Sequence, residues 1–256
     1  MLLHRTVLAA TALSFALAAQ GCAKDPSKEV PAAKVEEPAP AAEKPAEKPA
    51  EPAPAPAEPS PAAAPAPAAA PAAAPAAAAF AVPAGSTPLT GAIHAIGSKV
   101  TAQHDINFKE FTGYFAGKDG KAEGGAIGFE VKLASLEEVV KERNEWTAKF
   151  EGHLKSPDFF DIAKFPTATF VSTEIKAGGD PAAAGSTHTI KGSLTLRGVS
   201  KDVTFPATIG MSGKDVTGKA EFSVNRKDFG IVYAGQADDL IRDGVVLKLD
   251  LKGTTP

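Results

Sequence analysis

The chain is short of several residue types, and each shortage closes off a class of function. One cysteine, Cys22, rules out an intramolecular disulfide and leaves no thiol nucleophile beyond residue 22. A formal net charge of −3 at pH 7 gives none of the basic surplus that marks nucleic-acid-binding domains, so no nucleic acid partner is expected. No Gly-rich phosphate loop and no G-x-S-x-G elbow occurs. His94, His104, His153 and His188 show neither H-x-H nor H-x-x-x-H spacing, so no metal site is expected. Long apolar runs are also missing. The clearest, from Thr6 to Ala19, is too short to cross a hydrocarbon layer of about 30 Å as a helix.

That run follows His4 and Arg5, and the basic start with a short apolar stretch predicts a signal peptide over residues 1–21. It ends in Ala19-Gln20-Gly21-Cys22, which resembles the lipobox of bacterial lipoproteins. The resemblance implies diacylglycerol on the Cys22 thiol and a cell-envelope location. Ala23 in the following position implies the outer membrane, facing the periplasm. Ordinary signal cleavage near Ala18–Ala23 is the alternative.

Most of the 22 prolines lie before residue 89, in an Ala/Pro/Glu/Lys tract. Such a tract lacks the large apolar side chains that offset ordering entropy, and frequent proline favours polyproline II. Residues 22–88 are therefore expected to form a disordered linker that spaces a folded domain, residues 89–256, from a membrane.

That domain reads as mainly β. Ala92–Ile96 and Val100–Phe108 alternate apolar and polar residues, then Phe111, Gly113 and Phe115 continue on the other parity, which places a turn or bulge near Lys109–Glu110. Phe129, Val131 and Leu133 alternate in turn. Ser135-x-x-Glu138 is a capping-box pattern, and Leu136, Val139, Val140, Trp146, Phe150 and Leu154 follow at helical spacing up to Ser156-Pro157. This predicts one helix starting at Ser135, with Trp146 packed beneath it. Strands resume after Pro166, and the runs 186–197 and 203–211 predict a hairpin turning near Gly198. About eight strands, one helix and no βαβ rhythm predict a closed antiparallel barrel with a helix between strands. A sandwich is the alternative.

The apolar face is the strongest functional signal. An eight-stranded barrel has room to be filled by side chains or to hold one ligand. The inward candidates are Phe129, Val131, Leu133, Phe170, Ile190, Leu194, Val203, Phe205, Ile209, Phe222, Leu247 and Leu249. Small residues on the same parity, Gly192, Ala207, Gly218 and Ala220, are expected to leave space. Arg226 and Asp228 are expected to make structural charge-assisted bonds. A hydrolase using His104, His153 or His188 would need two of them to converge with a carboxylate, and a filled barrel would instead suit a structural or interaction module.

The order of four motifs, HLKSPDFFDIAKFPTATF (153–170), GSLTLRGVSKDVTF (192–205), AEFSVNRKDFGI (220–231) and DGVVLKLDLKG (243–253), resembles the YceI-like family. The resemblance implies a lipocalin-like barrel whose tunnel takes the tail of a polyisoprenoid or similar amphipathic lipid. It implies a binding protein and no enzyme, with no cofactor beyond a bound isoprenoid lipid or quinone. Asp158–Asp161 and Asn225–Gly230 are implied to be framework signatures.

Overall fold

A computed structural model describes residues 23–38 and 80–255. The signal peptide, Cys22 and residues 39–79 lie outside the described residues. The strands are β1 (Lys34–Glu36), β2 (Thr87–Ser98), β3 (Gln103–Phe108), β4 (Phe111–Lys118), β5 (Lys121–Lys132), β6 (Leu136–Glu138), β7 (Thr167–Ala177), β8 (His188–Leu196), β9 (Val199–Ser212), β10 (Asp215–Asn225), β11 (Gly235–Gln236), β12 (Asp239–Leu240) and β13 (Gly244–Thr254). The helix α1 spans Glu145–Lys155.

Eight of these runs close an antiparallel barrel in the order β2, β3–β4, β5, β7, β8, β9, β10, β13, with β13 paired back to β2. β3 and β4 act as one bent strand. Both lie along β2, through His94↔Asn107 and then Thr87↔Phe115, and the pairing slips by one residue between them. The slip at Lys109–Glu110 is the expected bulge, and it explains why the inward parity changes from Phe108 to Phe111. The β8–β9 hairpin closes on Arg197 and Gly198, with φ of 52° and 72°. Both angles are positive, the I′ geometry that matches strand twist.

The helix starts later than its sequence pattern predicts. Leu133–Ser135 forms a 3-10 turn, and Leu136–Glu138 pairs with β3 as strand β6. Ser135 Oγ accepts from Glu110 N and donates to Lys132 O, so it braces this turn and caps no helix. The true N-cap is Asn144, whose side chain accepts from the Trp146 and Thr147 backbone, with Thr147 completing a capping box. Trp146 is 77% exposed and packs beneath nothing.

The larger departure is at the N-terminus. Residues 23–38 dock along the barrel wall where a disordered linker was expected. β9 and β10 pair only from Thr208↔Lys219 to Ser212↔Asp215, and beyond that they part. Residues 31–36 fill the seam. Ala33 N donates to Ser223 O on β10, Ser223 N donates to Pro31 O, and β1 pairs with Asp202–Thr204 of β9. Ala33 and Val35 alternate inward onto the core, while Lys34 and Glu36 face solvent. The physical reason is edge pairing. Backbone groups of β9 and β10 left open by the seam need partners, and a strand with two small apolar side chains supplies them without a large core of its own. Upstream, Asp25 caps a 3-10 turn at Pro26–Lys28, and Arg242 donates to the carbonyls of Ala23 and Lys24 at 2.6 and 3.0 Å.

Candidate functional site

The barrel encloses a cavity of about 400 Å³. Its walls come from strand positions that alternate inward, and its depth is set by four phenylalanines. Phe129 stacks on Phe170 (5.2 Å between centroids), Phe170 contacts Phe205 (5.4 Å), and Phe205 stacks on Phe222 (4.1 Å). Phe129, Phe170 and Phe205 also border a void of about 20 Å³ on the far side, so the rings form a floor across the barrel.

Phe129, Val131, Leu133, Phe170, Leu194, Val203, Phe205, Phe222, Leu247 and Leu249 line the main cavity. Ile190 and Ile209 do not. They lie below the floor with Ala207, Gly218 and Ala220, against the small void. Gly192 leaves no space for a ligand either. A Cβ there would lie 2.5 Å from the Phe170 ring, so the missing side chain makes room for that phenylalanine.

Several lining residues fall outside the sequence-derived set. Ile93, Ala95, Ile106 and Phe108 come from β2 and β3, and Phe150, His153 and Leu154 from α1. The β2 and β3 positions carried the same alternation as the others and could have been included. The helix positions carried no such signal, because nothing local says which part of the barrel a helix covers. After α1 the chain crosses the cavity with Phe159 and Phe160, both half-buried and both in the lining. This crossing is fixed by bonds back to the helix end, Phe160 N to Leu154 O and Asp161 N to Ser156 O. Asp161 holds φ of 47° there, and its buried carboxylate meets Lys164.

Polar lining residues collect where the cavity reaches the barrel rim: Lys99, His104, His153, Gln236, Asp239 and Arg242. Arg226 organises this rim. Its buried guanidinium donates to the carbonyls of Ile231 (2.7 Å), Arg242 (3.1 Å) and Ile241 (3.3 Å), and to Asp243 (3.1 Å). Burial pulls its pKa below the ordinary arginine value, against the pull of Asp243. The ion-pair partner of Arg226 is thus Asp243, while Asn225 caps the following turn and Gly230 ends it at φ 73°.

The histidines each bond or pair separately. His104 bonds Glu138 and packs on Phe150; His153 bonds Asp158 at 3.1 Å and packs on Phe159 and Tyr233. His188 pairs with Ala177 at the opposite end of the barrel. On α1, burial raises the Glu151 pKa, but bonds from Arg143 and from the Glu138 backbone N–H outweigh it and hold the carboxyl below its usual value. Among the described residues no group of three or more His, Cys, Asp or Glu is placed to hold a metal, and no helix is long and apolar enough to cross a membrane.

Residues 83–253 match the model of the YceI-like domain. The chain belongs to the YceI-like family. A UPF0312 protein of Pseudomonas putida is 39% identical over 134 residues, covering 50% of this chain and 64% of the relative. One from Pseudomonas fluorescens is 38% identical over 140 residues, covering 52% and 67%. The chain thus spans a little under two thirds of the Pseudomonas putida relative. In solved structures, BcnA of Burkholderia cenocepacia superposes with a TM-score of 0.51 at 23% identity, covering 64% of this chain and 96% of BcnA, a likeness of fold. The YceI-like match starts at residue 83, so the docked segment 23–38 lies outside it.

Proposed function

We propose that this YceI-like protein is a cell-envelope carrier that holds one long-chain amphiphile, a polyisoprenoid or an isoprenoid quinone, with its tail in the barrel and its polar end at the rim. The observation that carries this is the distribution of the lining. The depth of the cavity is aliphatic and aromatic down to the phenylalanine floor, and charged side chains occur only at the rim. A volume of about 400 Å³ is within the range of small-molecule sites, roughly 300–1,000 Å³. Each methylene moved from water into such a cavity contributes about 0.8 kcal/mol, so a tail alone supplies the affinity and no covalent step is needed. On this reading the protein is no enzyme. Export, acylation of Cys22 and a periplasm-facing place on the outer membrane complete the proposal. They rest on residues 1–23 of the sequence.

Native mass spectrometry of the mature chain purified from bacterial membranes tests the carrier role. A bound prenyl lipid or quinone is expected. Empty protein that also fails to take up added prenyl lipid would overturn it, and a non-binding structural or interaction module would then stand. Cys22→Ser should release the protein from the membrane fraction, and retention there would count against acylation as the anchor.

A further inference from the structure

The docked N-terminal segment places the start of the described chain at the cavity rim. Ala23 N donates to Val100 O at 3.0 Å, just past the rim end of β2, and Arg242, itself a lining residue, grips the Ala23 and Lys24 carbonyls. Ala23, which follows Cys22 directly in the sequence, is therefore held at this rim. Residues 39–79 connect Pro38 to Phe80, and the described chain on each side of that span is already packed on the barrel. Pro31–Glu36 sits in the seam, and Phe80 lies against Tyr114 at 5.8 Å between rings. The Pro/Ala tract thus does not set the distance from Cys22 to the barrel.

Large apolar side chains project from the elements around the same rim. Leu240 is 50% exposed on the β11–β12 hairpin, and Val100 N donates to its carbonyl. Val232, at 66%, adjoins the lining residues Ile231 and Tyr233. Trp146, at 77%, shares the face of α1 that carries Phe150 and His153 into the cavity, one turn further on. Val139, at 53%, follows β6 and bonds the Asp105 carbonyl. Val82, Val171 and Met211 are exposed elsewhere on the barrel, but the most exposed, Trp146 and Val232, are both at this rim. Exposed apolar groups together mark an interaction site, and tryptophan is suited to the boundary between water and lipid.

We infer that the rim is a membrane-docking face: a phospholipid bilayer surface is its partner, and the segment 23–38 clamps the barrel mouth-down onto the bilayer that holds Cys22. A lipid tail then passes between bilayer and cavity without crossing water. The inference rests on the carrier reading and on acylation of Cys22. It commits to the bilayer because Ala23, next in sequence to Cys22, is held at this rim, and because the cavity lining reaches the same face.

Trp146 is the sole tryptophan, so its emission reports the rim directly. The full mature protein, its acylated Cys22 verified by intact mass, is reconstituted in phosphatidylethanolamine–phosphatidylglycerol vesicles with and without brominated phosphatidylcholine. Docking predicts a blue-shifted emission, strong quenching by the brominated chains and shielding from aqueous iodide. Emission that stays red, is untouched by bromine and is quenched by iodide would overturn the inference, as would an unacylated Cys22. The double variant Ala33→Asp, Val35→Asp unseats the segment but keeps the anchor. It should stay membrane-bound and lose bromine quenching, and unchanged quenching would refute the clamp. Circular dichroism verifies its fold, and Arg242→Ala, which frees Ala23 and Lys24 and removes the ion pair to Asp25, gives the same test from a second site. Prenyl-lipid binding in detergent is unaffected by docking, so failure here is distinguishable from failure of the carrier role.

Discussion

Replacing Arg226 with leucine separates the rim from the barrel beneath it. The guanidinium bonds three carbonyls of the chain that returns from β10 to β13, at Ile231, Ile241 and Arg242, as well as the Asp243 carboxylate. Leucine fills part of the volume and satisfies none of these acceptors. Each carbonyl left buried without a partner costs about 1–3 kcal/mol, but the losses do not add in full because the loop can turn toward water. Asp243 is itself only half-buried and keeps Lys227 as a partner, so the carbonyls carry most of the loss, about 3–5 kcal/mol in all. For a domain of this size each kcal/mol moves the melting temperature by about 2–4 °C, so a drop on the order of 10 °C is expected. Hydrogen exchange should rise first at residues 231–243, ahead of the strands, and ligand release should quicken because this loop lines the cavity. Arg226→Lys should recover little, since an ammonium cannot reach four acceptors in one plane. A variant that melts within a degree of the parent, with unchanged exchange at 231–243, would refute the view that Arg226 holds the rim together.

Three further outcomes follow from the geometry. Gly192→Ala forces a Cβ to 2.5 Å from both the Phe170 ring and the Val171 carbonyl and should cost about 1–3 kcal/mol in urea unfolding, whereas Gly218→Ala, with nothing within 4 Å, should be close to neutral. Ala168→Trp projects an indole into the cavity, and native mass spectra should show loss of bound prenyl lipid with the fold retained. Glu151, held below the ordinary carboxyl value, contributes stability that is complete above the unfolded pKa of about 4.3 and is lost as pH falls through the lower folded pKa. Glu151→Gln should therefore melt below the parent at pH 7, and in thermal scans the gap should close below about pH 4.

The parts of this molecule that were legible in the sequence are those whose cause is local. Phe129-x-Val131-x-Leu133 and Ile190-x-Gly192-x-Leu194 show their barrel faces because side chains alternate across a strand. The bulge at Lys109–Glu110 shows itself as a change of parity. The depth of a residue within the barrel is set by shear and tilt, which leave no trace in a strand's own pattern. Ile190 and Leu194 share a face, yet the phenylalanine floor lies between them. The helix was placed early because Ser135-x-x-Glu138 imitates a capping box, and pairing of Leu136 with Phe108, distant in sequence, decides against it. The docked segment was least visible. Its composition is that of a linker, and its structure comes from the unpaired edges of β9 and β10. Asp25-Pro26, a turn-initiating pair that here caps a 3-10 turn, was the one local hint.

The seam between β9 and β10 also changes what the Pro/Ala tract is. With Pro31–Glu36 seated in the wall and the barrel resuming at Thr87, the chain on both sides of the tract is fixed to the barrel, and the tract closes a loop between them. Loop-closure entropy grows only with the logarithm of length, and doubling such a loop costs about 0.6 kcal/mol. Selection on barrel stability is therefore almost blind to how long the tract is. Its length and composition are free to answer to demands other than the stability of a wall that is already shut.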